Sequence, residues 1–305
     1  MKIRRMCGII QENKKGLYKK TDITTNMQLI TDVHNHSSYS FDSETPLKEM
    51  LNEALNRGIA FYGAAEHFDI DVYLHKNDLT RTPHADVYFP EARHLREDYE
   101  GAINVLIGAE FAFSPDERVV AQYKEIAQTY QPDFIINSVH ALYGEDYYDR
   151  HTYYEKGDLN GKLREKSEVY AEYLRYVRQS LDVPYPYDIV GHLGYAARYA
   201  PYADREMHHA DHAALIDDIL LTIIKKDKIL EANGSSYGMQ DPCVPSREIL
   251  QRYYDLGGRK VSYGADAHTP QSLQRGREEI VKLLKEIGFT HFTVPCQGEH
   301  IKVEI

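Results

Sequence analysis

Seven short apolar runs recur along the chain, separated by longer segments with the periodicity of amphipathic helices, and this alternation is the strongest constraint on its fold. Strands that alternate with helices in this way form parallel βαβ units rather than a β-sandwich. The predicted strands are 29–33, 60–65, 105–111, 134–139, 188–190, 229–232 and 261–264.

The segments between these runs carry apolar residues at helical spacing. Thr45-Pro46 precedes the first of these apolar stripes, at 47–55, and predicts an N-cap followed by proline at the first helical position. Residues 114–117, Ser-Pro-Asp-Glu, predict a capping box with the same use of proline. The stripes are Leu47, Met50, Leu51, Ala54 and Leu55; Leu163, Tyr170, Leu174, Val177 and Leu181; Leu215, Ile219 and Ile223; and Ile280, Leu283, Leu284 and Ile287, which we expect to close the chain.

An open doubly wound sheet and a closed barrel both satisfy this alternation. No Gly-x-Gly-x-x-Gly follows the first run and no P-loop motif occurs, so the signatures of nucleotide-binding open sheets are missing. We therefore expect an α/β barrel. No linker rich in Pro, Gly or Ser divides the sequence, so we expect a single barrel domain over 27–305. Residues 1–26 are basic, and we expect them to form a mobile N-terminal extension.

Composition excludes several classes of protein. The formal net charge of −11 argues against a nucleic-acid-binding surface. No stretch approaches the roughly 20 apolar residues that span a bilayer, and no secretory signal is present, so a cytoplasmic location is the default expectation. The three cysteines share no close spacing, so neither a disulfide framework nor a cysteine-based zinc site is indicated.

Groups that can bind metal ions occur at the carboxyl ends of six of the seven predicted strands. Side chains at i and i+2 of a strand point to the same side, so a His-x-His pair aims two imidazoles into one space. In a barrel of alternating strands and helices, active sites are built at this end. Histidines and carboxylates scattered independently along the chain would have no reason to occupy six strand ends, so the pattern predicts a metal site. The groups are His34 with His36, His67, Glu110, His140, His192, and Asp266 with His268.

Another histidine pair, His208 and His212, has an i, i+4 spacing that can bind zinc. Its neighbours are mostly charged, and no glutamate follows His208 as in the zinc-protease motif. We therefore expect these two histidines to be surface groups.

The strand-end groups, in this order, resemble the PHP (polymerase and histidinol phosphatase) superfamily. Its members are distorted (βα)₇ TIM-like barrels with a two- or three-metal site in a deep cleft. The resemblance covers roughly 27–294 of this chain. Within the superfamily the sequence is similar to the histidinol-phosphatase branch at Glu66-His67-Phe68-Asp69, Ser138-Val139-His140, Gly191-His192-Leu193 and Arg198-Tyr199.

The resemblance implies a role for further residues. It makes Asp42, eight residues after His34, an additional ligand, makes Glu110 a bridge between metal ions, and makes Arg198 a phosphate-binding residue. Gly194 departs from the pattern, since histidinol phosphatases often carry Asp there, and this bears on the substrate rather than on the metal site. The implied ligands are His34, His36, Asp42, His67, Glu110, His140, His192, Asp266 and His268.

This ligand set constrains the chemistry. Nine ligands exceed the four of a tetrahedral zinc ion, so we expect two or three divalent ions. Imidazoles mixed with carboxylates, without a thiolate, suit zinc, manganese or iron. We expect a metal-bound hydroxide to attack phosphorus in line with the leaving alkoxide. Arg198 would hold the phosphate with a two-pronged contact that lysine does not reproduce.

The resemblance implies a phosphoric monoester hydrolase that converts L-histidinol phosphate to L-histidinol and phosphate in histidine biosynthesis. Its partner is a small phosphate monoester, with no nucleic-acid or membrane partner. The closest alternative is another PHP phosphoesterase acting on a nucleotide, a sugar phosphate or phosphotyrosine. An amidohydrolase-type hydrolase also begins with His-x-His on a barrel strand, but Glu110 at the bridging position argues against it. The third alternative is a non-catalytic metal-binding module, which the unbroken ligand pattern disfavours.

Overall fold

A computed structural model describes residues 29–72 and 84–305, and its strands fall into one parallel sheet and two hairpins. The predicted extension at 1–26 lies outside the described residues. The strands are β1 Ile30–Asn35, β2 Ile59–Phe68, β3 Asn104–Ala112, β4 Ile135–Ser138, β5 Ala141–Leu142, β6 Glu145–Asp146, β7 Ile189–Val190, β8 Ile229–Asn233, β9 Val261–Gly264, β10 His291–Cys296 and β11 Glu299–Glu304. The parallel sheet has the order β1-β2-β3-β4-β7-β8-β9.

The two outer strands of the sheet meet and nearly close it into a barrel. After β9, the backbone N–H of Asp266 donates to the carbonyl of His34, and the N–H of His36 donates to the carbonyl of Ala267, both at 2.8 Å. Asn35 and Ala267 form a parallel bridge between these contacts. The seven-stranded α/β barrel predicted from the sequence is confirmed, and each predicted strand overlaps one strand of the sheet.

Helices alternate with the barrel strands and bury their apolar faces against them. The predicted stripes at 47–55 and 280–287 are buried, except for Leu55, which is 43% exposed. Within the described residues, no helix is long and apolar enough to cross a membrane. The helices are α1 Leu47–Asn56, α2 Ala85–Glu97, α3 Glu117–Tyr130, α4 Lys166–Ser180, α5 Tyr195–Tyr199, α6 Ala213–Lys225, α7 Arg247–Asp255 and α8 Arg277–Ile287.

Two helix starts differ from the prediction, because in each case the proline precedes the helix. Helix α1 begins after Pro46 without a side-chain cap, and the hydroxyl of Thr45 donates instead to the carbonyl of His268 at 3.3 Å. Helix α3 is capped by Asp116, whose carboxylate accepts from the N–H of Arg118 at 2.8 Å. The expectation that α8 closes the chain was also wrong, since the β10–β11 hairpin follows it.

The β10–β11 hairpin covers the amino-terminal end of the barrel. The backbone N–H of Gln297, in its turn, donates at 2.8 Å to the carbonyl of Asp133, which precedes β4. Apolar side chains of the hairpin and of six barrel strands form one buried cluster. This packing leaves the opposite, carboxyl end of the barrel to the polar groups. The cluster comprises Val33, Phe61, Ala65, Leu106, Phe134, Ile136, Ile189, Ile229, Val294, Cys296 and Val303.

Candidate metal centre

The side chains predicted to be metal ligands converge at the carboxyl end of the barrel. His34 and His36 come from β1 and its end, His67 from β2 and Glu110 from β3. Asp42 lies in the segment between β1 and α1, and the remaining predicted ligands, His140, His192, Asp266 and His268, follow β4, β7 and β9. Eight of them form four overlapping groups of three, and within each group the ligand atoms lie within 4.8 Å of one another. The groups are His36, His67 and His268; His34, His36 and Asp266; His34, Glu110 and His192; and His67, Glu110 and His140.

Asp42 lies beside this cluster rather than in one of the four groups. Its Oδ2 is 3.0 Å from Nε2 of His268 and 3.5 Å from Nε2 of His67. Burial would raise the pKa of Asp42, but the two imidazoles lower it well below its usual value. The structure therefore brings all nine predicted residues together, and their role as ligands stays a prediction.

Glu110 occupies the centre of the cluster and is fully buried. Its Oε2 is 2.9 Å from Nδ1 of His67 and 3.3 Å from Nε2 of His34. Its Oε1 is 2.8 Å from Nε2 of His192 and 3.1 Å from Nε2 of His140. Burial opposes ionisation, but His140, His34 and His67 hold the pKa of this carboxyl well below its usual value. One carboxylate with two oxygens facing different imidazole pairs has the geometry expected of a bridging ligand.

Several polar atoms at the centre are buried without a hydrogen-bond partner. Among the described residues they include Nε2 of His34 and His36, Nδ1 of His67 and Oε2 of Glu110, whose short distances to one another lack the angles of hydrogen bonds. The ring of His36 also stacks between those of His67, at 4.0 Å, and His268, at 4.3 Å. Buried polar groups without partners are costly, and ligation of a cation would satisfy them. The nitrogen and oxygen donors present therefore fit divalent transition-metal ions.

The carboxylates around the cluster set the charge of the imidazoles. Burial would lower the pKa of His140, but Asp69 and Glu110 raise it to about 10. His36 faces other imidazoles, and burial together with His67 and His268 lowers its pKa to about 3. Protons held by such imidazoles are released when a metal ion takes their place.

Two carboxylates that hold the predicted ligands in place were not predicted from the sequence. Glu231 on β8 has Oε1 2.6 Å from Nδ1 of His34, and its Oε2 accepts from the backbone N–H of His192 at 2.7 Å. Asp69 has Oδ2 2.8 Å from Nδ1 of His140. Contacts of this kind fix the orientation of a ligating imidazole and raise its basicity.

Glu66, next to His67, is turned away from the cluster. It accepts hydrogen bonds from the N–H of Ser37 at 3.0 Å and from the hydroxyls of Ser37, at 2.6 Å, and Ser40, at 2.5 Å. The hydroxyl oxygen of Ser40 in turn accepts from the N–H of His67 at 3.0 Å. Glu66 thereby fixes the loop after β1 against the end of β2.

Arg198, predicted to bind phosphate, is buried on α5 and pairs with a predicted ligand. Its Nη1 donates to Oδ2 of Asp266 at 3.1 Å, and its Nη2 donates to Oδ1 of Asn233 at 2.6 Å. Its Nε is buried and has no hydrogen-bond partner in the part of the chain that the structure describes. Arg198 therefore supports Asp266 and keeps one donor available beside the cluster.

Gly194, which precedes α5, has a physical reason to be glycine. Its φ of +119° lies in the left-handed region, and an added Cβ would lie 3.0 Å from Cγ1 of Val244. An aspartate at this position would be strained.

The histidines at 208 and 212 lie away from the barrel end. His208 pairs with Asp204 and Glu248, each at 3.5 Å, and its side chain is 45% exposed. Neither histidine belongs to a possible metal-binding group among the residues at 29–72 and 84–305. The predicted place at the surface is confirmed for His208, whereas His212 is half-buried.

Known proteins resemble this chain in sequence and in structure. The sequence model of the PHP domain matches residues 32–235, more than half of the chain. The histidinol-phosphatase of Lactococcus lactis is 28% identical over 85% of this chain and 91% of that protein. A protein of Clostridium acetobutylicum named "Probable histidinol-phosphatase" is 28% identical over 84% of this chain and 92% of its own. The crystal structure of histidinol phosphate phosphatase from Lactococcus lactis, complexed with zinc, L-histidinol and phosphate, superposes with a TM-score of 0.72 and 25% identity over 90% of this chain and 99% of that one. The chain therefore belongs to the PHP domain family, as the order of its strand-end residues predicted.

Proposed function

We propose that this chain is a metal-dependent phosphomonoesterase that hydrolyses L-histidinol phosphate to L-histidinol and phosphate. The observation that carries the proposal is the convergence of imidazoles and carboxylates around Glu110, with the buried guanidinium of Arg198 at its side. The similar Lactococcus lactis structure holds zinc, L-histidinol and phosphate, which supports this substrate.

We infer that the nine predicted ligands hold two or three divalent ions, of zinc, manganese or iron. Glu110 would bridge two of them, because each of its oxygens faces a different pair of imidazoles. Asp42 would complete the ligand set near His67 and His268. Such ions supply, when bound, an acidified water and positive charge beside the phosphate.

Other residues of the chain would then orient the metal ligands and the phosphate. Ser138 donates to Oε1 of Glu110 at 2.6 Å and fixes that carboxylate, while Glu231 and Asp69 fix the imidazoles of His34 and His140. The free Nε of Arg198 would donate to an oxygen of the phosphate. This would be a single contact rather than the two-pronged one expected from the sequence, because Nη1 and Nη2 already donate to Asp266 and Asn233.

A panel of phosphate monoesters tests this function. For the metal-loaded protein we expect kcat/KM for L-histidinol phosphate to exceed that for a nucleotide, a sugar phosphate and phosphotyrosine by about 100-fold or more. Comparable values across the panel would contradict the specific substrate and favour a broader PHP phosphoesterase. A preference for another member of the panel would show that the proposed substrate is wrong, while the proposed hydrolysis of a phosphate monoester would stand.

A further inference from the structure

A half-buried carboxylate lies directly beside the cluster without belonging to it. The β5–β6 hairpin follows His140, and Asp146 on β6 pairs across it with Ala141. The backbone N–H of Tyr147 donates to the carbonyl of His140 at 3.0 Å. Asp146 is therefore held next to His140, at the end of the barrel where the substrate must enter.

Among the described residues, this carboxylate has no lysine or arginine partner, and the charged side chain with the largest effect on its pKa is His140. Its Oδ1 accepts from the backbone N–H of Tyr148 at 2.8 Å, which caps a short turn. Within 29–72 and 84–305, no lysine or arginine forms an ion pair with it. Burial raises the pKa of Asp146 to about 6, against the opposing effect of His140. A half-buried carboxylate without a lysine or arginine partner can still accept the charge of a cationic ligand.

Tyrosines connect this carboxylate to the predicted phosphate site. The ring of Tyr148 lies 5.3 Å from that of Tyr199, which lies 5.4 Å from that of Tyr195. Tyr195 in turn lies 4.9 Å from the ring of His140, and the guanidinium of Arg198 lies 5.2 Å from the Tyr195 ring. An anionic group, Asp146, and a cationic group, Arg198, thus both lie near this aromatic surface.

We propose that Asp146 determines specificity by binding the ammonium group of the substrate, while Tyr148 and Tyr199 pack against its imidazole. The inference rests on the proposed function. L-Histidinol phosphate carries a phosphate anion and an ammonium cation a few bonds apart, which matches the opposite charges of Arg198 and Asp146. Aromatic faces also attract cations, so the tyrosines suit the same end of the molecule.

The test measures binding of L-histidinol and of inorganic phosphate separately, by calorimetry on metal-loaded protein. Asp146→Asn removes the charge but preserves the turn, since asparagine caps as well as aspartate. Asp158→Asn is the matched control, because exposed Asp158 accepts in the same way from the N–H of Asn160 at 3.0 Å. We expect Asp146→Asn to weaken L-histidinol about 10- to 100-fold, and to leave phosphate affinity and metal content unchanged.

Other results would overturn the inference. Unchanged L-histidinol affinity would remove Asp146 from the binding site. Parallel loss of phosphate affinity or of metal would show that it supports the cluster instead. If the wild-type protein binds phosphate but not L-histidinol, the proposed function fails first, and the inference fails with it.

Discussion

Glu231 holds two predicted ligands at once, since its two oxygens contact Nδ1 of His34 and the backbone N–H of His192. Glu231→Gln keeps the size of the side chain but replaces one acceptor oxygen with a donor group. We expect metal affinity to fall about 10- to 100-fold, as for other residues that orient metal-bound histidines. Metal titration of the chelated protein measures this. Glu248→Gln, on the exposed side of α7, is the control, and equal affinities for both variants would exclude the role assigned to Glu231.

Arg198 donates hydrogen bonds to Asp266 and Asn233, and we propose that it also donates to the phosphate. Arg198→Ala removes a donor to the phosphate and leaves the buried carboxylate of Asp266 without its cation. We expect KM for phosphate esters to rise about 10-fold or more, with a matching loss of inhibition by inorganic phosphate. Arg198→Lys should recover only part of this, because lysine lacks the planar fork. If phosphate inhibited Arg198→Ala and the wild type equally, Arg198 would not contact the phosphate.

At the scale of residues, the sequence predicted the candidate metal-binding side chains at the strand ends. It did not predict the carboxylates that hold their imidazoles in place. His34, His67 and His140 follow apolar runs, so a local pattern reveals them. Glu231 lies inside a run, and its contact with His34 joins residues 197 positions apart. Glu231 lies two residues after Ile229, whose side chain is buried in the barrel, so strand geometry places its carboxylate on the same side. This spacing is a local signal for an inward-facing carboxylate.

At the scale of elements, apolar periodicity predicted strands and helices more accurately than their ends. The strand β11, Glu-His-Ile-Lys-Val-Glu, carries two apolar residues, so its local signal is weak. Helix α2 contains Pro90, which in a sequence indicates a break. The start of α1 depends on a tertiary contact, because Thr45 donates to the carbonyl of His268 rather than capping the helix.

The close approach of β1 and β2 depends on Gly63. A Cβ at this position would lie 2.4 Å from the carbonyl oxygen of Val33 and 2.7 Å from its Cα, which are backbone atoms that cannot turn away. Gly63→Ala should therefore lower the free energy of unfolding by about 3 kcal/mol or more. Chemical denaturation measures the loss. Gly58→Ala is the comparison, since φ is +70° there but no atom lies within 4 Å of the added Cβ, and its cost should be about 1–2 kcal/mol. Equal losses would show that β1 and β2 can separate without penalty.

At the scale of the whole molecule, the two ends of the barrel have different roles. The β10–β11 hairpin and its apolar cluster cover one end, and the imidazoles and carboxylates occupy the other. The net charge of −11 is a sum over the chain and does not describe this cleft. Three divalent ions together with Arg198 would outweigh the carboxylates of the site, so the occupied cleft would attract a phosphate ester, whereas two ions would only balance them. These carboxylates are Asp42, Asp69, Glu110, Glu231 and Asp266.

The most direct test of a multinuclear metal phosphatase combines metal analysis and activity on one sample. The protein is stripped with a chelator, zinc or manganese is returned stepwise, and bound metal per chain is measured together with hydrolysis of L-histidinol phosphate. We predict no activity in the stripped protein and a rise that saturates at two to three ions per chain. Full activity with one ion or none would contradict the account.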